Sequence, residues 1–355
     1  MFTKRQKLIL LTIFMGLFSC VQEQRDVIPL PTSLPIFDVK VNRGDAFKGY
    51  VMVRQIENPG AQLAIDSRGK VAWFMAGDTT LFRPFTPYGS SFISLHSSTR
   101  AFDISYAGDT LNSWDISKDT SINFTMHHEV IKAMDGSLVT LTKEYVASDL
   151  STNEPDARIG FIKNEGIVKL SPEGEVIWRW SFDRRFDVEG NPLEEQALPW
   201  GHANAILVNK QGNYLISWKG YNEVWCIDSS SGNVLWKYSG KQEGRRGGMI
   251  GQHSLSYDSD GNYLVFNNGR KSSSAHSFNV DGENNLTGVY DVALPDSLFS
   301  SKQGSVYQFA EDRYLFCSSQ TKSLVVTNKQ GEILWLAESD YVSYRAYHIP
   351  KEWID

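Results

Sequence analysis

Residues 202–218 read HANAILVNKQGNYLISW, and 224–236 read VWCIDSSSGNVLW. In each, a short run of β-branched and aromatic residues leads into a Gly-bearing turn and a second such run, the pattern of a hairpin. Two hairpins in succession make a four-stranded sheet. The second phrase recurs as LAIDSRGKVAW (63–73), IVKLSPEGEVIW (167–178) and LVVTNKQGEILW (324–335), and more weakly as DISYAGDTLNSW (103–114) and FNVDGENNLTGVY (278–290), six copies in all. The first phrase returns as HEVIKAMDGSLVTLT from His128, HSLSYDSDGNYLVFNN from His253 and SVYQFAEDRYLFCSS from Ser305. A spacing of roughly 45 to 57 residues with four strands per period predicts an all-β, six-bladed β-propeller. A tandem array of immunoglobulin-like domains needs a period near 100 residues and fits less well. The aromatic residue that ends each copy, such as Trp73, Trp178, Trp236 or Trp335, is expected to fill the space between blades.

Outside the repeat, Lys4, Arg5 and Lys7 precede an apolar run at 8–18 (LILLTIFMGLF). That run falls short of the about 20 residues of a membrane-spanning helix and suits a secretory signal. Leu17-Phe18-Ser19-Cys20 then resembles the lipobox of bacterial lipoproteins. The expected organisation is a signal peptide at 1–19, a lipidated Cys20 with a linker at 20–47 whose part from 27, with Pro29, Pro31 and Pro35, leads into an edge strand, and a propeller at 48–355. Val21 and Gln22 carry no inner-membrane retention signal, so the expected location is the outer membrane, on its periplasmic side or at the cell surface, with the membrane touched through the lipid alone. Lys plus Arg total 35 against 41 Asp plus Glu, a formal charge of −6. No segment concentrates the basic residues, which excludes nucleic acid as an expected partner. Cys226 and Cys317 each sit in an apolar run, which favours two buried thiols over a disulfide.

The chemistry lies in the first phrase. His128 and His253 each stand eight residues before a turn glycine, Gly136 and Gly261, and His202 opens the equivalent strand with a turn two residues longer before Gly212. Equivalent positions in successive blades lie at one radius, so three of the seven histidines converge if that strand is the innermost. Strand alternation points His127 and Glu129 away from the centre. Asn204 shares the face of His202, Lys219 closes the partner strand, and Arg245 and Arg246 precede His253 on a Gly-rich loop. A histidine-rich, cationic centre without a matching cluster of acids suits an anionic ester and no metal, although a three-histidine metal site is the competing use of such residues. No cofactor is expected.

HHEV (127–130), WGHANAI (200–206), GQHSLSYDSDGNYLVFNNG (251–269) and YRA (344–346) together resemble the bacterial PAPS-independent aryl-sulfate sulfotransferases, from about residue 50 to the C-terminus. The resemblance implies a periplasmic six-bladed propeller that takes an aryl sulfate donor and a phenol acceptor through a sulfohistidine. It implies His253 as nucleophile, His128 and His202 as partners of the sulfuryl and phenol oxygens, Asn204 and Arg345 at the substrate, and a cation opposite the sulfate. At that last place the family has arginine and this chain has Lys219, which keeps the charge and loses the bidentate fork. Three other readings stand beside it: a hydrolase in which water discharges the sulfohistidine, a propeller that binds anions or phenols without turnover, and an interaction scaffold.

Overall fold

The computed structural model describes residues 36–55, 61–76, 84–149, 159–183, 201–241 and 248–354. Six antiparallel sheets account for all 25 strands among them. The N-terminal strand β1 (Phe37–Asn42) stands apart from blade I, which comprises β2 (Tyr50–Gln55), β3 (Ala61–Ile65) and β4 (Val71–Ala76) with the C-terminal strand β25 (Ser343–Ile349) as their inner neighbour. Blade II runs outward through β5 (Phe85–Tyr88), β6 (Ser91–Leu95), β7 (Arg100–Ser105) and β8 (Thr110–Asp115). Blade III follows with β9 (Phe124–Lys132), β10 (Leu138–Asp149), β11 (Ile159–Leu170) and β12 (Val176–Phe182). Blade IV holds β13 (Ala203–Val208), β14 (Tyr214–Trp218), β15 (Glu223–Ile227) and β16 (Val234–Tyr238). Blade V holds β17 (His253–Tyr257), β18 (Tyr263–Asn267), β19 (Ser274–Val280) and β20 (Leu286–Ala293). Blade VI holds β21 (Ser305–Ala310), β22 (Arg313–Ser318), β23 (Ser323–Thr327) and β24 (Ile333–Ser339), with β1 added at its outer edge.

The innermost strands β25, β5, β9, β13, β17 and β21 touch in that order and close a ring about the axis. Closure is therefore made twice: β25 supplies the inner strand of the first blade, and β1 caps the outer edge of the last. The stretch 27–47, expected as a linker leading into an edge strand, contributes such a strand, because FDVKVN alternates once the prolines end at Pro35.

The core lies between neighbouring blades, where clusters such as Leu215, Trp236, Leu255, Val265 and Phe278 bury their side chains. The repeat aromatics supply its polar stitching as well. Trp73 Nε1 donates to Tyr106 O, Trp114 Nε1 to Ser171 O and Trp335 Nε1 to Ser67 O, each across a blade boundary, at 2.8, 2.9 and 2.8 Å. Trp178 packs on Tyr214 and Trp236 on Tyr263, with ring centroids 4.4 and 5.8 Å apart, and Tyr314 donates to Tyr290 at 3.0 Å. All six closing aromatics thus face the next blade. Indole suits the place because it buries a large apolar face while its N–H still meets an orphan carbonyl. Cys226 and Cys317 are buried free thiols. Burial pushes both up to about 12.

Candidate active site

Near the axis the ladders are interrupted in a similar way in several blades. In β9, Val130 pairs with Thr140 but His127 pairs with Leu141, so His128 and Glu129 stand in a bulge. Bulges fall in β13 between Ala203 and Ala205 and in β17 between His253 and Ser256. His128, His202 and Ser254 have φ of 55°, 50° and 50°. That left-handed conformation costs a non-glycine residue roughly 1–2 kcal/mol, and it re-aims the side chains beside it.

His127 therefore does not point away from the centre as unbroken alternation required. Its Nδ1 lies 2.6 Å from Nδ1 of His128, and the two rings meet edge to face at 4.8 Å. Glu129 is likewise brought inward, where its carboxylate pairs with Arg345 at 2.7 Å. With Glu129 and Glu165 both buried beside the histidines, the centre does contain acids, against the expectation of a purely cationic one. The turn before Gly212 is also no longer than the others. Gly136, Gly212 and Gly261 each donate to the residue three positions earlier, so the two extra residues lie in the strand.

The structure brings the three expected histidines together near the axis. The rings of His128 and His202 are 5.2 Å apart, and Tyr344 stands 6.4 Å from His128 and 6.1 Å from His253. Asn204 is fully buried and donates to Gln252 O at 2.7 Å, so it holds the backbone that precedes His253. Gln252 in turn donates to Trp218 O and Glu223 O at 3.1 and 3.0 Å. Lys219 follows β14, and its charge bears on both His202 and His253. Arg345 is 2% exposed and committed to Glu129, to Tyr307 Oη at 3.0 Å and to Asn204 O at 2.9 Å, so it reaches the histidines through its field. Arg245, Arg246 and Cys20 lie outside the described residues.

His253 Nδ1 contacts Gly251 O at 2.7 Å and Asn268 Oδ1 at 2.8 Å. Asn268 is itself oriented, because its Nδ2 donates to Ser300 O and Gln303 O at 2.6 and 2.8 Å. Both partners of Nδ1 accept, so Nδ1 carries the proton and Nε2 presents a lone pair. Burial lowers His253 to about 3, and the charges of Arg345 and Lys219 act in the same direction. Burial also lowers His127 to about 3 and His202 to about 4, and it takes His128 well below its usual range. The centre is a set of neutral imidazoles at physiological pH. Among the described residues, no group of His, Cys, Asp and Glu is arranged to hold a metal.

These shifts predict an acid-sensitive fold. Below pH 6.5 the unfolded chain protonates its histidines while the buried ones stay neutral, so stability falls as pH drops from 6.5 towards 3. Each of His127 and His253 contributes up to about 1.4 kcal/mol per pH unit in that window. The urea midpoint should fall between pH 6 and pH 4.5, less steeply in His127→Gln. Equal slopes for both proteins would contradict the buried neutral state of His127.

Further along the inner strands a cavity of about 730 Å3 opens among Ile131, Ile206, Leu255, Tyr257, Tyr307 and Tyr347. Glu129, the partner of Arg345, is among the residues that line it.

Sequence reading missed His127, Glu129, Glu165 and Asn268. Asn268 alone left a legible trace, since the hairpin pairs His253 with Phe266 and sets the end of β18 beside it.

A family model described as arylsulfotransferase (ASST) matches residues 63–340. No curated protein matches the chain. A protein of unknown function from Bacteroides caccae is similar in structure, with a TM-score of 0.54 and 13% identity over 84% of this chain and 98% of that one. BamB from Moraxella catarrhalis aligns with a TM-score of 0.39 and 12% identity over 88% of this chain and 77% of that one. The first of these likenesses is one of fold alone.

Proposed function

This chain belongs to the arylsulfotransferase family, and from that premise we propose that it moves a sulfuryl group from a phenolic sulfate ester to a phenolic acceptor through a sulfohistidine on His253. The observation that carries the reading is the fixed tautomer of His253, whose Nδ1 is spent on Gly251 O and Asn268 Oδ1. Its neutral Nε2 is the nucleophile. In the first half-reaction a bond forms from Nε2 to sulfur and the sulfur–oxygen bond to the phenol breaks. The imidazole becomes cationic as it does so, and the two carbonyl acceptors on Nδ1–H stabilise that charge. The departing phenoxide takes the proton of His128 Nε2 as a replacement proton reaches His128 Nδ1 from its buried neighbour His127, so that the imidazole stays neutral, and the Lys219 ammonium balances negative charge on the sulfuryl oxygens. In the second half-reaction an acceptor phenol returns a proton to His128, attacks sulfur and releases neutral His253. Splitting the transfer in two lowers each barrier.

As part of the same proposal, Cys20 is lipidated and tethers the exported propeller to the outer membrane, on the periplasmic side or at the surface. The test is release of 4-nitrophenol from 4-nitrophenyl sulfate with and without added phenol. The expected result is release that rises with phenol, together with formation of phenyl sulfate. Release that ignores phenol and yields free sulfate would make the protein a hydrolase, and no release would contradict enzymatic turnover.

A further inference from the structure

Resting on the sulfuryl-transfer reading, we propose that His127, Glu165 and Lys163 form a proton relay behind His128, which resets that residue between donating to the leaving phenoxide and accepting from the incoming phenol. Three observations lead to it.

The first is the contact between His127 Nδ1 and His128 Nδ1 at 2.6 Å. Two neutral imidazoles joined in this way share one proton. If His127 holds it, His128 carries its own proton on Nε2 and donates; if His128 holds it, its Nε2 is bare and accepts. One proton moved along this bond therefore inverts the role of His128. The contact alone is not sufficient, because a His127 that gave up its only proton would be an anion.

The second observation supplies the missing proton. His127 Nε2 is buried and faces Glu165 Oε1 at 3.9 Å, the carboxylate oxygen that also meets the Lys163 ammonium. A buried ring nitrogen that loses its solvation uncompensated is costly, which favours a partner within reach. The gap is about 1 Å more than a hydrogen-bond distance, so the bond forms when either side chain turns. Burial raises Glu165, which favours the acid form that can donate, and the Lys163 ammonium opposes that shift.

The third is the path outward. Lys163 Nζ stands 3.2 Å from Glu165 Oε1, with its side chain 20% exposed, while the Glu165 side chain is fully buried and its Oε2 accepts from Ala203 N at 3.2 Å. The buried end of the chain thus touches His128 and the outer end exchanges protons with water.

The step balances. The Glu165 carboxyl gives its proton to His127 Nε2, His127 Nδ1–H passes to His128 Nδ1, and His128 Nε2–H passes to the phenoxide oxygen. Glu165 is left as a carboxylate beside Lys163. The acceptor phenol's proton retraces the path in the second half-reaction, so no net proton is consumed per cycle. His127, Glu165 and Lys163 act through His128 and touch no reacting atom.

A relay that protonates the leaving oxygen matters in proportion to the basicity of that oxygen. The experiment compares kcat/KM for phenyl sulfate, whose phenol is as basic as tyrosine at about 10, with that for 4-nitrophenyl sulfate, whose phenoxide leaves without help. Wild type, Glu165→Gln and His127→Gln are measured with one acceptor. The ratio of the two rates should move against phenyl sulfate by about 100-fold or more in each variant, within the usual range for acid catalysis. Equal losses on both esters would mark the residues as structural, and unchanged rates would show them idle. Either result overturns the relay while leaving transfer intact. If wild type turns over neither ester, the transfer reading fails and the relay with it. Should Glu165→Gln fail to fold, His127→Gln reads the same ratio.

Discussion

Replacing His253 by alanine should abolish aryl-sulfate turnover, with kcat falling by about 10^4-fold or more, the loss typical when a covalent nucleophile is removed. His128 and His202 are neutral imidazoles too, but His128 Nδ1 is tied to His127, whereas His253 has its Nδ1 held by two acceptors that leave Nε2 to attack. The variant should still bind the ester, because Lys219 remains, and a binding isotherm for 4-nitrophenyl sulfate checks this. Activity within tenfold of wild type would remove His253 from the nucleophile's role.

Arg345→Ala should destabilise the fold by about 3–5 kcal/mol, since it leaves the Glu129 carboxyl buried without its counter-charge. Arg345 comes from the closing strand β25 and reaches β9 through Glu129, β21 through Tyr307 and β13 through Asn204, so it ties four blades across the axis. Glu129→Gln combined with Arg345→Met removes both charges at similar volume and should recover more than half of the loss. Urea unfolding of the two variants checks this, and a double variant as unstable as the single would show that packing, not the charge pair, carries the cost.

The blades were legible because each needs two turns and a closing aromatic, and those residues are few and regularly placed. Even the weaker copies ending at Trp114 and Tyr290 mark true blades. The convergence of His128, His202 and His253 was legible for the same reason, since equal position in a repeat means equal radius. What escaped was the direction of their neighbours. Alternation along a strand assumes an unbroken ladder, and bulges with left-handed His128 and His202 turn His127 and Glu129 inward with no sign in residue type. Glu165 escaped because it comes from β11, two strands further out, and reaches the centre only through the packing of blade III on β13.

The most direct test of the account is the mass of the protein after brief exposure to an aryl sulfate without acceptor, in wild type and His253→Ala. The account predicts one added sulfuryl group on wild type alone, discharged when phenol is added. Turnover without any adduct, or an adduct that persists in His253→Ala, would contradict it.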